Sequence, residues 1–145
     1  MLNNTGLDTN SRMYQLLFNN SLNGIAYCKM EYDAQGEPID FTYLAVNKAF
    51  EELTKLKHVI GKKVSEVIPG IKNDTPELFN VYGRVSKGGQ PELFEIYLEY
   101  FKMWFLVSVY CPEKGYFIAV FNVSSLKLED EIKRLKEEVK DLKKK

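Results

Sequence analysis

Residues 103–124 read MWFLVSVYCPEKGYFIAVFNVS. Two runs rich in β-branched and aromatic residues flank Pro112-Glu113-Lys114-Gly115, a composition that suits two half-buried strands joined by a turn. A third run of the same kind, ELFEIYLEYF at 92–101, lies just upstream, with Lys102 at the joint. Joints this short force antiparallel pairing, since a parallel pair needs a crossover of about a dozen residues or more. The middle run also alternates. Phe105, Val107, Val109 and Cys111 fall on one side of the strand; Trp104, Leu106, Ser108 and Tyr110 fall on the other.

The pattern extends upstream. GIAYCKMEY (24–32) and FTYLAVN (41–47) are two more strand runs, separated by the turn residues Asp33, Gln35, Gly36, Glu37 and Pro38, so they form a hairpin. The period then changes. Asn47 caps a short helix, KAFEELTKL, and Gly61, Pro69 and Gly70 break 57–73 into single turns such as VSEVI. Thr75-Pro76-Glu77 starts a longer helix over 76–87, with a hydroxyl cap, Pro in first position and an acid in the first turn. Leu78, Phe79, Tyr82 and Val85 line one face of it, and Gly88-Gly89 stops it. Near the N-terminus Met13, Leu16 and Leu17 recur at helical spacing behind Ser11, while residues 1–10 are polar, show no period and read as a disordered lead. The order predicts an α+β fold: a five-stranded antiparallel sheet with short helices on one face, an N-terminal cap helix and a C-terminal helix. The expected division is 1–20 for lead and cap helix, 21–124 for the domain and 125–145 for the exit helix.

The exit helix, LKLEDEIKRLKEEVKDLKKK from Leu126, carries a heptad seam. Leu128, Leu135 and Leu142 occupy d, and Ile132 and Val139 occupy a. β-branched a positions with Leu at d favour a parallel two-stranded coil, and Glu131 and Glu138 at g face Lys136 and Lys143 at e across such a pair. A homodimer is therefore expected through this seam. The alternative is an amphipathic helix folded back on its own domain, because the seam is little more than two heptads long. The outer set of the central strand, with Trp104 and Leu106, is too apolar to stay bare. The N-terminal helix, through Leu16 and Leu17, is the expected cover, from its own chain or a partner's.

The chain has 145 residues, enough for one domain with a core, and its 20 basic and 20 acidic residues cancel, which argues against nucleic acid as a partner. No apolar run is long enough for a membrane span and no charged-then-apolar leader is present, so the expected setting is the cytoplasm. Cys28 and Cys111 lie in apolar runs and read as reduced, buried residues.

The element order and three stretches, FTYLAVNKAFEELTKL (41–56), VIGKKVSEVIPGI (59–71) and residues 103–124, resemble the PAS (sensory-box) family, over about Tyr14 to Ser124. Asn122-Val123-Ser124 stands where that family has an Asp-Ile-Thr-like exit, so the acid usual there is replaced by an amide. The resemblance implies a non-enzymatic sensory module of a bacterial or archaeal signal-transduction protein. Such a module is expected to bind a small ligand or a partner and to relay the change through the exit helix to a histidine kinase or diguanylate cyclase output domain on a longer chain. The other reading is a ligand-free dimerisation module.

The residues constrain the chemistry further. His58 is the only histidine, and no CxxC, P-loop or GxGxxG occurs, so no catalytic or metal constellation is visible. Haem-binding relatives place a ligating His on the longer helix, and light-sensing flavin relatives place a reactive Cys among the short helices. Residues 76–87 hold no His and residues 47–73 no Cys. The cofactor is therefore left unknown, with haem and covalent flavin disfavoured. Candidate walls of an apolar pocket are Phe79, Tyr82, Val85, Phe105, Val107, Val109 and Cys111; packed core is the other reading of the same stripe. Polar groups that could orient a ligand are Tyr82, Asn80, Arg84 and Ser108.

Overall fold

The computed structural model describes the backbone of residues 2–144 and the side chains of residues 11–124 and 131–143. Helix α1 spans Leu2–Asn20, and a hairpin of β1 (Gly24–Tyr32) and β2 (Pro38–Val46) follows. Four helices come next: α2 (Lys48–Thr54), α3 (Val64–Val67), α4 (Ile71–Asp74) and α5 (Pro76–Ser86). Then come β3 (Glu92–Leu98), β4 (Met103–Tyr110), β5 (Tyr116–Val123) and α6 (Ser125–Lys144). The strands form one five-stranded sheet in the order β2-β1-β5-β4-β3. Every ladder is antiparallel. The α+β expectation and the element order hold.

The first hairpin is set by Asp33, whose carboxylate accepts from the backbone N–H of Gln35 and Glu37, while Gly36 takes the left-handed conformation (φ 82°). Pro38 opens β2, which is tolerable because β2 is an edge strand. The free side of that edge is partly covered: the Tyr43 N–H donates to the Lys62 carbonyl at 3.0 Å, and the Tyr43 carbonyl accepts from Gly61 N–H at 2.7 Å. Helix α5 lies close over the start of β2 because residue 83 is Gly. A Cβ there would sit 2.6 Å from the Pro38 ring.

Three expectations need correction. Residues 2–10 are helical and not a disordered lead, for α1 starts at Leu2 and Ser11 lies inside it. Once a turn exists downstream, extending a helix adds one hydrogen bond per residue fixed, and needs no apolar period. Thr75 makes no side-chain cap to α5. It also terminates α4, donating its N–H to the Ile71 carbonyl, and this double duty holds it away from cap geometry (φ −140°, ψ 66°). Strand β3 ends at Leu98, not at residue 101, because Lys102 takes a left-handed conformation (φ 53°) and donates its N–H to the Leu98 carbonyl.

The inner face of the sheet is buried against α2–α5. Cys28, Val109 and Phe117 are fully buried, and Phe41 meets Phe79, Tyr82 and Phe117 at ring-centroid distances of 5.7, 5.7 and 5.1 Å. The alternation read in β4 is as expected, with Phe105, Val107 and Val109 buried and Leu106 and Tyr110 exposed. Helix α1 does not cover the outer face within its own chain. Leu16 and Leu17 are 52% and 64% exposed, and Leu106 is 40% exposed. The end of α1 is instead tied to the start of α2.

That tie is Asn47, a side chain only 1% exposed. Its Oδ1 accepts from Ile25 N–H and Phe50 N–H, both at 2.9 Å, and its Nδ2 donates to the carbonyls of Phe18 (2.8 Å) and Asn23 (3.0 Å). One amide therefore caps α2, starts β1 and fixes the end of α1. Asn47→Ala should cost about 3 kcal/mol, since it removes a cap and leaves buried backbone groups unpaired. Urea denaturation checks this. A loss under about 1 kcal/mol would mean that water replaces the amide without strain.

Candidate ligand cavity and exit joint

The core is not completely filled. A cavity of about 60 Å³ lies between the inner face of the sheet and α2–α5. Its walls include Phe41 and Tyr43 of β2, Phe50 of α2, Ile68 beyond α3, Tyr82 of α5 and Phe105 of β4. No charged side chain lines it. At roughly 10–15 Å³ per water-sized group it takes about four to six such groups.

Of the walls expected from sequence, Tyr82, Phe105 and Val107 line this cavity. Phe79, Val85 and Val109 are buried outside it, and Cys111 is half-buried at the end of β4. Phe79 packs behind the wall residue Phe41, with ring centroids 5.7 Å apart, and Val109 pairs with the wall residue Ala119 across the β4–β5 ladder. The alternation of a strand tells which face is inward, but not which position along it meets empty space. The sequence reading missed Phe41, Tyr43 and Phe50. The signal for Tyr43 was available, since Phe41 and Tyr43 alternate in β2 as Phe105 and Val107 do in β4.

The polar candidates divide in the same way. Asn80 is exposed and Ser108 lies on the outer face. Arg84 points outward and holds Glu92 through two hydrogen bonds, of 2.6 and 2.7 Å. Those bonds keep the Glu92 carboxyl below its usual range. His58 is exposed. Only Tyr82 among the polar options faces the cavity, and Tyr43 joins it there. Burial holds the phenol of Tyr43 and that of Tyr82 well above the ordinary range, with a smaller contribution from Cys28 to each. The thiol of Cys28, itself a wall of the cavity, is also pushed up by burial. All three groups stay protonated at neutral pH.

The second feature is the joint where sheet becomes exit helix. Ser124 is 3% exposed. Its N–H donates to the Trp104 carbonyl at 2.9 Å, and its hydroxyl donates to the carboxylate of Glu95 on β3. Asn122, in the place of the usual acid, donates from Nδ2 to Asn23 Oδ1 at 2.9 Å and accepts from Val123 N–H at 2.8 Å. An amide pair thus closes a joint where a salt bridge could not be assumed. Beyond it, residues 131–143 of α6 are all exposed. Ile132, Leu135, Val139 and Leu142 are 50–69% exposed, so among the described residues the seam is not folded back on its own chain. The side chain of Leu128 lies outside the described residues.

A family profile described as PAS domain matches residues 12–86, more than half of the chain. The chain belongs to the PAS family. Solved structures extend the likeness across the remaining strands. One is a domain of a sensory box sensor histidine kinase/response regulator from Geobacter sulfurreducens, 20% identical, with a TM-score of 0.51 over 80% of this chain and 96% of that one. Another is the PAS domain of BvgS from Bordetella pertussis, 15% identical, with a TM-score of 0.55 over 90% of this chain and 98% of that one. The LOV protein of Rhodobacter sphaeroides is 12% identical, with a TM-score of 0.53 over 79% and 66%. No curated protein sequence matches. At these identities the structures establish the fold, which is that of a PAS sensory domain. No helix among the described residues is long and apolar enough to cross a membrane.

The burial of Cys28 has a measurable consequence. A thiol reagent at pH 8 should leave Cys28 unlabelled in the native protein and reach it only on unfolding, because its side chain has no exposed surface and its thiolate is disfavoured. Mass mapping of the labelled cysteine checks this. Labelling of Cys28 at the rate of a free thiol would show that the cavity opens readily to solvent.

Proposed function

We propose that this chain is a non-enzymatic sensory module of a signal-transduction protein. A small ligand occupies the core cavity, and its effect on the sheet is relayed through a parallel dimeric exit helix to an output domain of kinase or cyclase type on the same longer chain. The observation that carries this reading is the position of the cavity. Phe105 and Val107, which line it, belong to the strand whose Trp104 carbonyl holds Ser124, one residue before α6. A change at the cavity therefore reaches the helix through one strand and one hydrogen bond. In this division residues 1–20 form the cap, 21–124 the sensor and 125–145 the signalling helix, and the setting is cytoplasmic.

The dimer rests on two exposed apolar surfaces. The a and d positions of α6 form one stripe. The outer sheet face, with the half-buried Trp104 and the exposed Leu106, and the exposed side chains of Leu16 and Leu17 on α1 form the second. The partner's α1 is the proposed cover for this face. The same exposed surfaces favour the second reading, a dimerisation module whose core binds nothing. Native mass spectrometry of the intact chain separates the two readings, since an extra small-molecule mass belongs to the first only.

The seam itself is tested by truncation. The full chain should sediment as a dimer at concentrations on the order of tens of micromolar, and a chain cut after Ser125 should shift toward monomer. A full chain that remains monomeric under those conditions would remove the basis for the relay.

A further inference from the structure

Tyr43 and Tyr82 are 5% and 7% exposed, and neither hydroxyl makes a hydrogen bond to any described residue. Buried hydroxyls are ordinarily partnered. Among the described residues no sealed polar side-chain atom lacks a partner, so these two hydroxyls are not sealed. Each has open space beside it. Both residues line the cavity, which offers such space beside their side chains. The other polar atoms on its wall are already engaged or weak. The hydroxyl of Thr54 donates to the Phe50 carbonyl at 2.7 Å and accepts from Leu56 N–H, and Cys28 offers only a thiol.

From this arrangement we infer that the cavity takes a small uncharged organic molecule of about four to six heavy atoms bearing one oxygen acceptor, best a carbonyl, held by the hydroxyls of Tyr43 and Tyr82. The inference rests on the sensor reading of the cavity and narrows its ligand. A carbonyl oxygen has two lone pairs and can accept from two phenols, while the rest of a short aliphatic molecule meets only apolar wall. A carboxylate is excluded, because no cationic side chain lines the cavity to offset its desolvation. Both phenols stay protonated, so both remain able to donate.

The test uses the full chain, methyl-labelled for NMR, with butan-2-one as probe, butanoate as its charged counterpart and xenon as an apolar control. Butan-2-one should shift the methyl signals of Ala26, Val64, Ile68 and Ala119 saturably, with a dissociation constant on the order of millimolar. Tyr43→Phe and Tyr82→Phe keep the ring packing and should each weaken binding about fivefold, and the double variant by about twenty-fivefold. Butanoate should leave the signals unmoved. Equal butan-2-one affinity in the double variant, or butanoate binding as well as the ketone, overturns the ligand class. Xenon shifts without ketone shifts also overturn the class, but leave the cavity and the sensor reading standing. No shift from either probe means a closed core and overturns both. Ketone binding with the predicted variant pattern but no change in dimerisation supports the ligand class and counts against the relay alone.

Discussion

One buried amide sets the geometry on which the rest depends. Asn47 uses its full side-chain hydrogen-bonding capacity, two acceptor positions and two donors, on four segments: the end of α1, the linker at Asn23, the first residues of β1 and the first turn of α2. In a low-dielectric interior such a group is either fully paired or costly, so these segments cannot move independently of it. Asn23 then passes the constraint on, through its side chain, to Asn122 on the exit strand. The two helices that leave the domain, α1 and α6, are therefore referenced to a single point. Apart from Glu95 at Ser124, every link in that chain is uncharged, and salt or moderate pH change has little to act on.

The cavity follows from what surrounds it. Phe41 packs edge-on or tilted against Tyr43, Phe79, Tyr82 and Phe117, with centroids 5.1 to 5.7 Å apart. Flat rings in these arrangements cannot flex to close a gap as a methionine can. Three of the four aromatic neighbours come from different elements, Tyr82 from α5, Phe117 from β5 and Tyr43 from β2 itself, so closing the space would require sheet and helix to approach together. The close fit of Gly83 on Pro38 already fixes that approach at one end of α5. A residual void is the physical outcome of rigid walls held at a set distance.

How much of this could be read from the sequence depends on the range of the interaction concerned. Strands β1 and β5 were legible to the residue, because alternation and turn residues are local. The N-cap at Asn47 was legible too, but only its bond to Phe50 N–H is local. Its bonds to Phe18, Asn23 and Ile25 span 22 to 29 residues and leave no periodic trace. The same holds for the cavity. Tyr82, Phe105 and Val107 border the cavity and lie on amphipathic faces, while Phe79 and Val109 satisfy the same rule and pack in the same core without bordering it. Thr75 was misread as a cap for a related reason. Its sequence context fits, but its backbone is already committed to the end of α4, and that commitment is set by where Ile71 is buried.

A few-atom ligand constrains the rest of the proposed mechanism. With a ceiling near 1.5 kcal/mol per non-hydrogen atom, about four to six atoms offer at most roughly 6–9 kcal/mol, and realised values are lower. Only the part of that energy that differs between two states of the domain can shift their balance. The element being shifted must therefore lie within a few kcal/mol of its alternative. In the proposed relay the exit helix would meet this condition by its length. It is 20 residues long, its seam spans little more than two heptads, and helices of that size are marginal without a partner. A longer zipper would hold the dimer in one state whatever the core contained. In the proposed relay, a short seam would call for a tight joint, and the joint is buried and doubly bonded at Ser124. With so little energy to transmit, slack between β4 and the first turn of α6 would absorb the signal before it reached the seam.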